Sequence, residues 1–411
     1  MRTVIIGNSA AAVGCIEGLR ALDKQREIVV LSTEQEHVYG RPLISYLLMG
    51  KTDRARMLYR PRTFYDDMCV TLRLGVRAEA IDPVQKVVAL KGGETVSYDQ
   101  LLVATGSRPF IPPIQGLDTV RRWCTFTTLK DAHTLQQMID PRSHVLIVGA
   151  GLIGLKCAEG ICARVAQIDV VDQAPQVLPS ALDIAGAQRV QTYLERRGLH
   201  FHLQNAVQSL TPHEATLTNG RRIPFDVLVM AAGVRPNVEL VKQAGGDVER
   251  GIVVDAYSRT SLPDIFAAGD CAQGMDCISG TSKVMALWPN AYMQGESAGT
   301  YMAGGKRVND KAIAMNAMGM LGLHICTAGE LNGESDVVQD DERGYKKLVR
   351  RDGVLTGFVM IGDVERAGIY TALIRQKTLL KEIDYELVRK RPQLMAFSKE
   401  ERQRQLGGAQ E

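Results

Sequence analysis

The sequence predicts an α/β protein of the doubly wound kind: two βαβ nucleotide-binding units with a smaller α+β segment behind them. Three observations carry that reading. An apolar strand at the N-terminus runs into a tight turn and a helix, the same arrangement returns near residue 145 with every glycine in place, and the pattern changes from about Val308.

In the first unit, Thr3-Val4-Ile5-Ile6 is an apolar, β-branched run of the kind that fills a buried parallel strand. The turn Gly7-Asn8-Ser9-Ala10-Ala11-Ala12 follows, then helical spacing from Val13 to Leu22 and a second strand over Glu27–Leu31, ending in Ser32-Thr33-Glu34. Gly7 permits the turn, small side chains let the backbone approach a pyrophosphate, and the helix N-terminus faces its charge. Ser9 stands where the second glycine of the dinucleotide fingerprint belongs and Ala12 where the third does, so a plain α/β turn fits this stretch too.

At 411 residues the chain exceeds one ordinary core, and its 39 glycines suit a fold with many tight turns. A net charge of +3, with no concentrated basic patch, argues against a nucleic-acid partner. No apolar run reaches the roughly 20 residues that span a bilayer. Because the first strand begins at Thr3, no room is left for a leader, and the expectation is a cytoplasmic protein. The eight cysteines form no CxxC and no metal-finger spacing. Cys157 and Cys162 have CxxxxC spacing, but on a helix five residues turn them about 140° apart, which favours buried structural thiols. Cys271 and Cys277 are read as structural in the same way. His200 and His202 share a strand face with no third ligand nearby, so no metal site is expected.

Arg41, in Gly40-Arg41-Pro42-Leu43, fits two readings: a cation that pairs with a phosphate or covers a ring cofactor, or a surface arginine before a helix. Residues 70–98 read as short strands with Lys91-Gly92-Gly93 as a hairpin turn. They lead into the buried strand Leu101–Ala104, ending in Ala104-Thr105-Gly106, and then a proline-stiffened crossing at Pro109, Pro112 and Pro113.

The second unit is complete. Strand Val145–Val148 is followed by Gly149-Ala150-Gly151-Leu152-Ile153-Gly154, a helix over 155–164, strand Ile168–Val171, and Asp172 placed 18 residues beyond Gly154. Asp172 accepts from the ribose hydroxyls of an adenosine and repels a 2′-phosphate. Gln173-Ala174-Pro175 offers no arginine to welcome one, so NAD is expected rather than NADP. The unit continues as helix and hairpin over 190–224 and closes at Val227–Gly233.

Thr260–Asp270 then brings a buried strand to Gly269-Asp270, where an acid after a glycine can accept from a ribityl hydroxyl. Trp288-Pro289-Asn290-Ala291 opens a helix whose N-terminus could stabilise charge on a reduced flavin, and Trp288 fits a packed core aromatic equally well. From Val308 the expectation is strands near 322–328, 345–350 and 354–361, a helix from Val364 to about Leu380, and no chemistry-bearing cluster. Pro392–Glu411 reads as a solvated helix or frayed tail.

Two nucleotide units with Ala104-Thr105-Gly106 and Gly269-Asp270 in this order resemble the FAD-dependent pyridine-nucleotide oxidoreductases, from residue 1 to about 380. The branch it looks like holds NADH oxidases, rubredoxin reductases, oxygenase ferredoxin reductases and the flavin domain of nitrite reductase. The resemblance implies two Rossmann-like domains, with the NAD domain (113–242) inserted in a discontinuous FAD domain (1–112 and 243–307), and a C-terminal interface or assembly domain (308–411). For FAD it implies Gly7, Ser9, Ala10 and Ala11 at the pyrophosphate, Glu34 (or Thr33) at the ribose, Arg41 on the flavin side and Ala78 at adenine. Thr105 and Gly106 would line the cofactor, Asp270 would hold the ribityl-phosphate, and Trp288 and Ala291 would lie near the ring. For NAD it implies Gly149, Gly151, Leu152, Ile153, Gly154, Asp172 and Gly233.

Three departures bear on function. The disulfide-reducing members carry a cysteine or a CxxxxC pair after the first unit, and Val38–Met49 contains none. Tyr46 stands where relatives often place a lysine beside the flavin. Lys156 stands where they place a glutamate near the nicotinamide, with Glu159 one turn on and able to pair with it. The resemblance implies hydride transfer from NADH to the flavin without a side-chain acid or nucleophile, then delivery of electrons to an iron–sulfur or rubredoxin-like protein. The chain would act alone or as the NAD-handling subunit of a larger iron–sulfur complex, such as a tungsten aldehyde oxidoreductase or 2-oxoacid dehydrogenase, within a homo- or hetero-oligomer. The alternatives are an NADH oxidase using oxygen and an NADH-sensing flavoprotein with an assembly or signalling role.

Overall fold

The computed structural model describes residues 1–397 and Arg402. Two parallel sheets and one antiparallel sheet carry the architecture. The first sheet runs, in spatial order, Ile265–Ala267, Gln100–Val103, Arg2–Ile6, Glu27–Ser32 and Val70–Leu74. Its order places a strand from beyond residue 260 beside one that ends at Val103, so the chain leaves this sheet and returns to it. The excursion builds the second parallel sheet: Leu199–His202, Gln167–Val171, His144–Val148, Val227–Met230 and Trp123–Thr125. The two crossings pair with each other as an antiparallel ribbon, Ser107–Pro109 against Val234–Pro236.

The central strands of both parallel sheets are apolar over residues 4–6, 145–148 and 227–230, because both faces are covered. Helices Ala10–Leu22 and Trp288–Met302 pack closely on each other, and small residues make that possible. A Cβ on Gly14, Gly295 or Gly299 would stand 2.0–2.2 Å from a carbonyl oxygen of the facing helix or its first turn.

The C-terminal sheet is antiparallel, ordered Met315–Met320, Leu323–Gly329, Val354–Gly362, Gly344–Arg351 and Glu334–Asp341. Two of these strands, Met315–Met320 and Glu334–Asp341, escape the sequence reading, and both are edges of the sheet. An edge strand with a solvated face loses the apolar signature, as the charged run ESDVVQDD does. The following helix spans Ala367–Gln376, shorter than expected at both ends, where Arg366 and Lys377 take left-handed backbone angles. The helix expected over 155–164 spans Leu152–Ile161 instead. Ala396 and Phe397 are buried in the C-terminal core, so the chain just after Pro392 is packed and not a solvated tail. The rest of that tail lies outside the described residues, apart from Arg402.

Candidate functional site

The C-terminal ends of the strands of the first sheet gather the residues expected at one nucleotide. Gly7 has φ +120°, and a Cβ there would lie 2.0 Å from the Ala104 carbonyl oxygen, so this turn admits glycine alone. Gly269, at φ +83°, would place a Cβ 3.3 Å from that of Ala11 and 3.5 Å from that of Ala291. Gly7, Ala11, Ala104, Gly269 and Ala291 thus converge from distant parts of the chain. The Gly269 amide donates to Gln294 Oε1 at 2.8 Å, which ties the returning turn to helix Trp288–Met302. Asp270 Oδ2 accepts from the Ser107 hydroxyl at 2.9 Å. Burial pushes the Asp270 carboxyl up, against the pull of Ser107 and of the Arg41 charge.

Arg41 reaches Glu34 Oε1 at 2.6 Å and the Thr127 carbonyl at 3.0 Å. Glu34 also accepts from the Tyr39 hydroxyl at 2.8 Å, and that hydroxyl accepts from the Leu129 amide at 3.0 Å. Arg41 is therefore an ion-paired, half-buried cation. Thr105 and Asn237 exchange two 2.9 Å hydrogen bonds, joining the end of the Ala-Thr-Gly strand to the second crossing. Trp288 packs edge-on against Tyr59 at 5.0 Å between centroids. Ala78 lies half-buried on strand Ala78–Asp82, opposite Leu90 in a separate small sheet.

The second sheet repeats the design. Gly149, at φ +122°, would place a Cβ 2.2 Å from the Ala231 carbonyl oxygen, and Gly154 one 2.0 Å from the Gly149 carbonyl. Leu152 stays 38% exposed at the first turn of its helix and Ile153 is half-buried. Asp172 accepts from the Ala150 amide at 2.6 Å and from the Ala174 amide at 2.8 Å, which holds it against the glycine turn.

Both helices that follow the glycine turns lack a side-chain cap: Ser9 makes no capping hydrogen bond and Gly151 has no side chain to make one. Their first amides remain available to an anion, and a Cβ on Gly106, Gly151 or Gly233 would enter open space. These observations fit two dinucleotides, FAD on the first unit and NAD on the second.

Between the units lies a cluster that involves the C-terminal segment. The Lys156 ammonium pairs with Glu159, donates to the Gly319 carbonyl at 3.2 Å and lies 4.4 Å from the Tyr46 ring centroid. Glu159, only 4% exposed, also accepts from the Leu321 amide at 2.8 Å. The C-terminal segment thus joins this ion pair through main-chain atoms that no sequence pattern marks. Ser107, Tyr39, Asn237 and Gln294 were also missed, since each acts through a partner remote in sequence.

All eight cysteines are free, and burial pushes the Cys157 thiol well above its ordinary value. His202 pairs with Asp169, and among the described residues no group of three or more metal-ligating side chains assembles. No described helix is long and apolar enough to cross a membrane.

Comparison with known proteins matches residues 1–295 to the pyridine nucleotide-disulphide oxidoreductase model and residues 315–378 to the rubredoxin NAD+ reductase C-terminal domain. The chain belongs to the pyridine nucleotide-disulphide oxidoreductase family. As a member it is a pyridine-nucleotide oxidoreductase, and its cofactors are FAD and NAD(H). The assimilatory nitrate reductase electron transfer subunit of Bacillus subtilis is 32% identical over 390 residues, 92% of this chain and 50% of that protein. This chain thus spans half the length of that relative. An NADH oxidase of Methanocaldococcus jannaschii is 35% identical over 318 residues, covering 74% of this chain and 70% of the relative. The epsilon subunit of an NADH-dependent phenylglyoxylate dehydrogenase from Aromatoleum evansii is 30% identical over 387 residues, covering 91% of each chain. The crystal structure of the covalent putidaredoxin reductase–putidaredoxin complex superposes with a TM-score of 0.88 at 21% identity, covering 95% of this chain and 96% of that one. That likeness speaks to the fold.

Proposed function

We propose that this chain passes electrons between NADH and a one-electron redox protein of the iron–sulfur or rubredoxin type, as the NADH-handling flavoprotein subunit of a larger oxidoreductase complex. One observation carries the reading: Val38–Met49 contains no cysteine, and the cysteines elsewhere are free and mostly buried. No thiol pair stands beside the first unit to take electrons onward. The near full-length likeness to the epsilon subunit of an NADH-dependent phenylglyoxylate dehydrogenase supports placement in a complex.

Residues 1–112 and 243–307 hold FAD in this reading, 113–242 hold NAD, and 308–411 form the interface. The uncapped helix ends at Ser9 and Gly151 receive the pyrophosphates, with Gly7, Ala10 and Ala11 on one side and Gly149, Leu152, Ile153 and Gly154 on the other. Asp270, positioned by Ser107, accepts from the ribityl chain, Glu34 meets the ribose, and Arg41, paired with Glu34, stands on the flavin side. Asp172 accepts from the NAD ribose, and Gly233, where a Cβ would meet nothing within 4 Å, leaves room for the coenzyme. FAD held by these residues would supply the redox chemistry, taking up hydride from NADH and passing electrons on one at a time. Tyr46, Lys156 and Glu159 fix the seam between the two units, and no side chain moves a proton in the hydride step.

The test is anaerobic NADH oxidation with rubredoxin or ferredoxin as acceptor, set against oxygen consumption in air. Fast reduction of the iron protein with slow oxygen consumption is expected. Faster electron flow to oxygen would replace this reading with that of an NADH oxidase, the activity named for the archaeal relative. Slow turnover with every acceptor would point instead to a sensing flavoprotein.

A further inference from the structure

Three residues before Asp172 the second sheet buries another carboxylate. Asp169 and His202 are 5% and 7% exposed and meet at 2.6 Å, Oδ1 to Nε2. Asp169 Oδ2 accepts from Gln167 Nε2 at 2.7 Å. Burial alone would raise the Asp169 carboxyl, but the hydrogen bonds from His202 and Gln167 and the nearby His200 hold it below its ordinary value. A carboxylate only accepts, so Nε2 of His202 carries the proton.

His202 ends strand Leu199–His202, which forms the edge of the sheet beside Gln167–Val171. From that edge the main chain wraps the segment that carries Asp172. The Asp172 amide donates to the His202 carbonyl at 3.2 Å, the Asn205 amide to the Asp172 carbonyl at 3.0 Å, and the Gln204 amide to the Ala174 carbonyl at 3.0 Å. Among the side chains of the described residues, only those of Asp169 and His202 hydrogen-bond strand Leu199–His202 to strand Gln167–Val171.

We propose that Asp169 and His202 form a positioning pair for coenzyme recognition: by clamping the edge strand they fix the turns that hold Asp172 where an adenosine ribose meets it. The proposal rests on the assignment of Asp172 as the ribose acceptor. It predicts that loss of the pair loosens Asp172 and weakens NADH binding without touching the hydride step.

The experiment compares His202→Leu, His202→Gln, Asp169→Asn and Asp172→Ala as FAD-loaded proteins, by steady-state kinetics with NADH and by the dissociation constant for NAD+. His202→Leu is expected to raise KM for NADH and the NAD+ dissociation constant about fivefold, with kcat unchanged, as loss of one buried hydrogen bond implies. His202→Gln, which keeps an N–H donor, is expected to recover most of the loss, and Asp169→Asn to fall between. If His202→Leu does not fold, the Gln and Asn variants decide, and coenzyme affinity at the wild-type level in Asp169→Asn overturns the proposal. A lowered melting temperature with unchanged NADH affinity likewise overturns it and leaves the pair purely structural. Unchanged affinity in Asp172→Ala would instead remove the ribose assignment beneath it.

Discussion

The ammonium of Lys156 lies over the ring of Tyr46, 4.4 Å from its centroid. One residue comes from the helix after the second glycine turn and the other from helix Ile44–Leu48 of the first unit. With Glu159 and the Gly319 carbonyl, this contact joins both nucleotide units to the C-terminal sheet.

Removing the cation strands a buried acid. Lys156→Met leaves Glu159 with only the Leu321 amide and should destabilise the protein by about 3 kcal/mol, whereas Lys156→Met with Glu159→Gln should recover much of that. Denaturant unfolding of the four variants of the cycle checks it. Additive effects would show that the pair carries no coupling.

Asp270→Ala removes the carboxylate that Ser107 holds at the return of the chain to the first sheet. FAD affinity should fall at least about tenfold, read as the flavin-to-protein absorbance ratio after gel filtration. Full occupancy would remove Asp270 from the cofactor site.

Asp172→Ala should raise KM for NADH about tenfold and that for NADPH less, since a carboxylate that attracts ribose hydroxyls repels a phosphate. Equal use of the two coenzymes by the wild type would contradict this selectivity.

Asp183 caps helix Ile184–Glu195 and reaches across to the C-terminal sheet, to the Tyr345 hydroxyl at 2.7 Å and Lys347 Nζ at 3.0 Å. Burial would raise its carboxyl, but these donors hold it below its ordinary value. A lowered folded-state pKa stabilises above the unfolded value and loses that contribution as pH falls from about 4 through the lowered value. Asp183→Asn keeps the cap and should cost about 1–2 kcal/mol at pH 7, with the gap closing below pH 4. A gap independent of pH would show that the charge adds nothing.

Both nucleotide units were legible because their signals are local: an apolar strand, a glycine at positive φ, a helix and an acid at fixed spacing. The sequence also pointed to the return of the chain at Gly269-Asp270 through its motif. It did not show what holds these residues. Ser107 and Asp270 are 163 residues apart, and Lys156 meets Gly319 through a carbonyl oxygen that any residue would offer. The missed strands, Met315–Met320 and Glu334–Asp341, are sheet edges whose sequence answers to solvent and to neighbours as much as to the strand period.

The proposed electron path makes the flavin the protein's only two-electron store, with no redox disulfide behind it. Cys157 lies fully buried on helix Leu152–Ile161 and Cys162 follows at its end, both as free thiols. Anaerobic titration with NADH, followed through the oxidised-flavin absorbance band, tests this directly. About one NADH per FAD should bleach the band completely, in the wild type and in Cys157→Ala/Cys162→Ala alike. Uptake of a second equivalent by the wild type, absent from the double variant, would contradict the account.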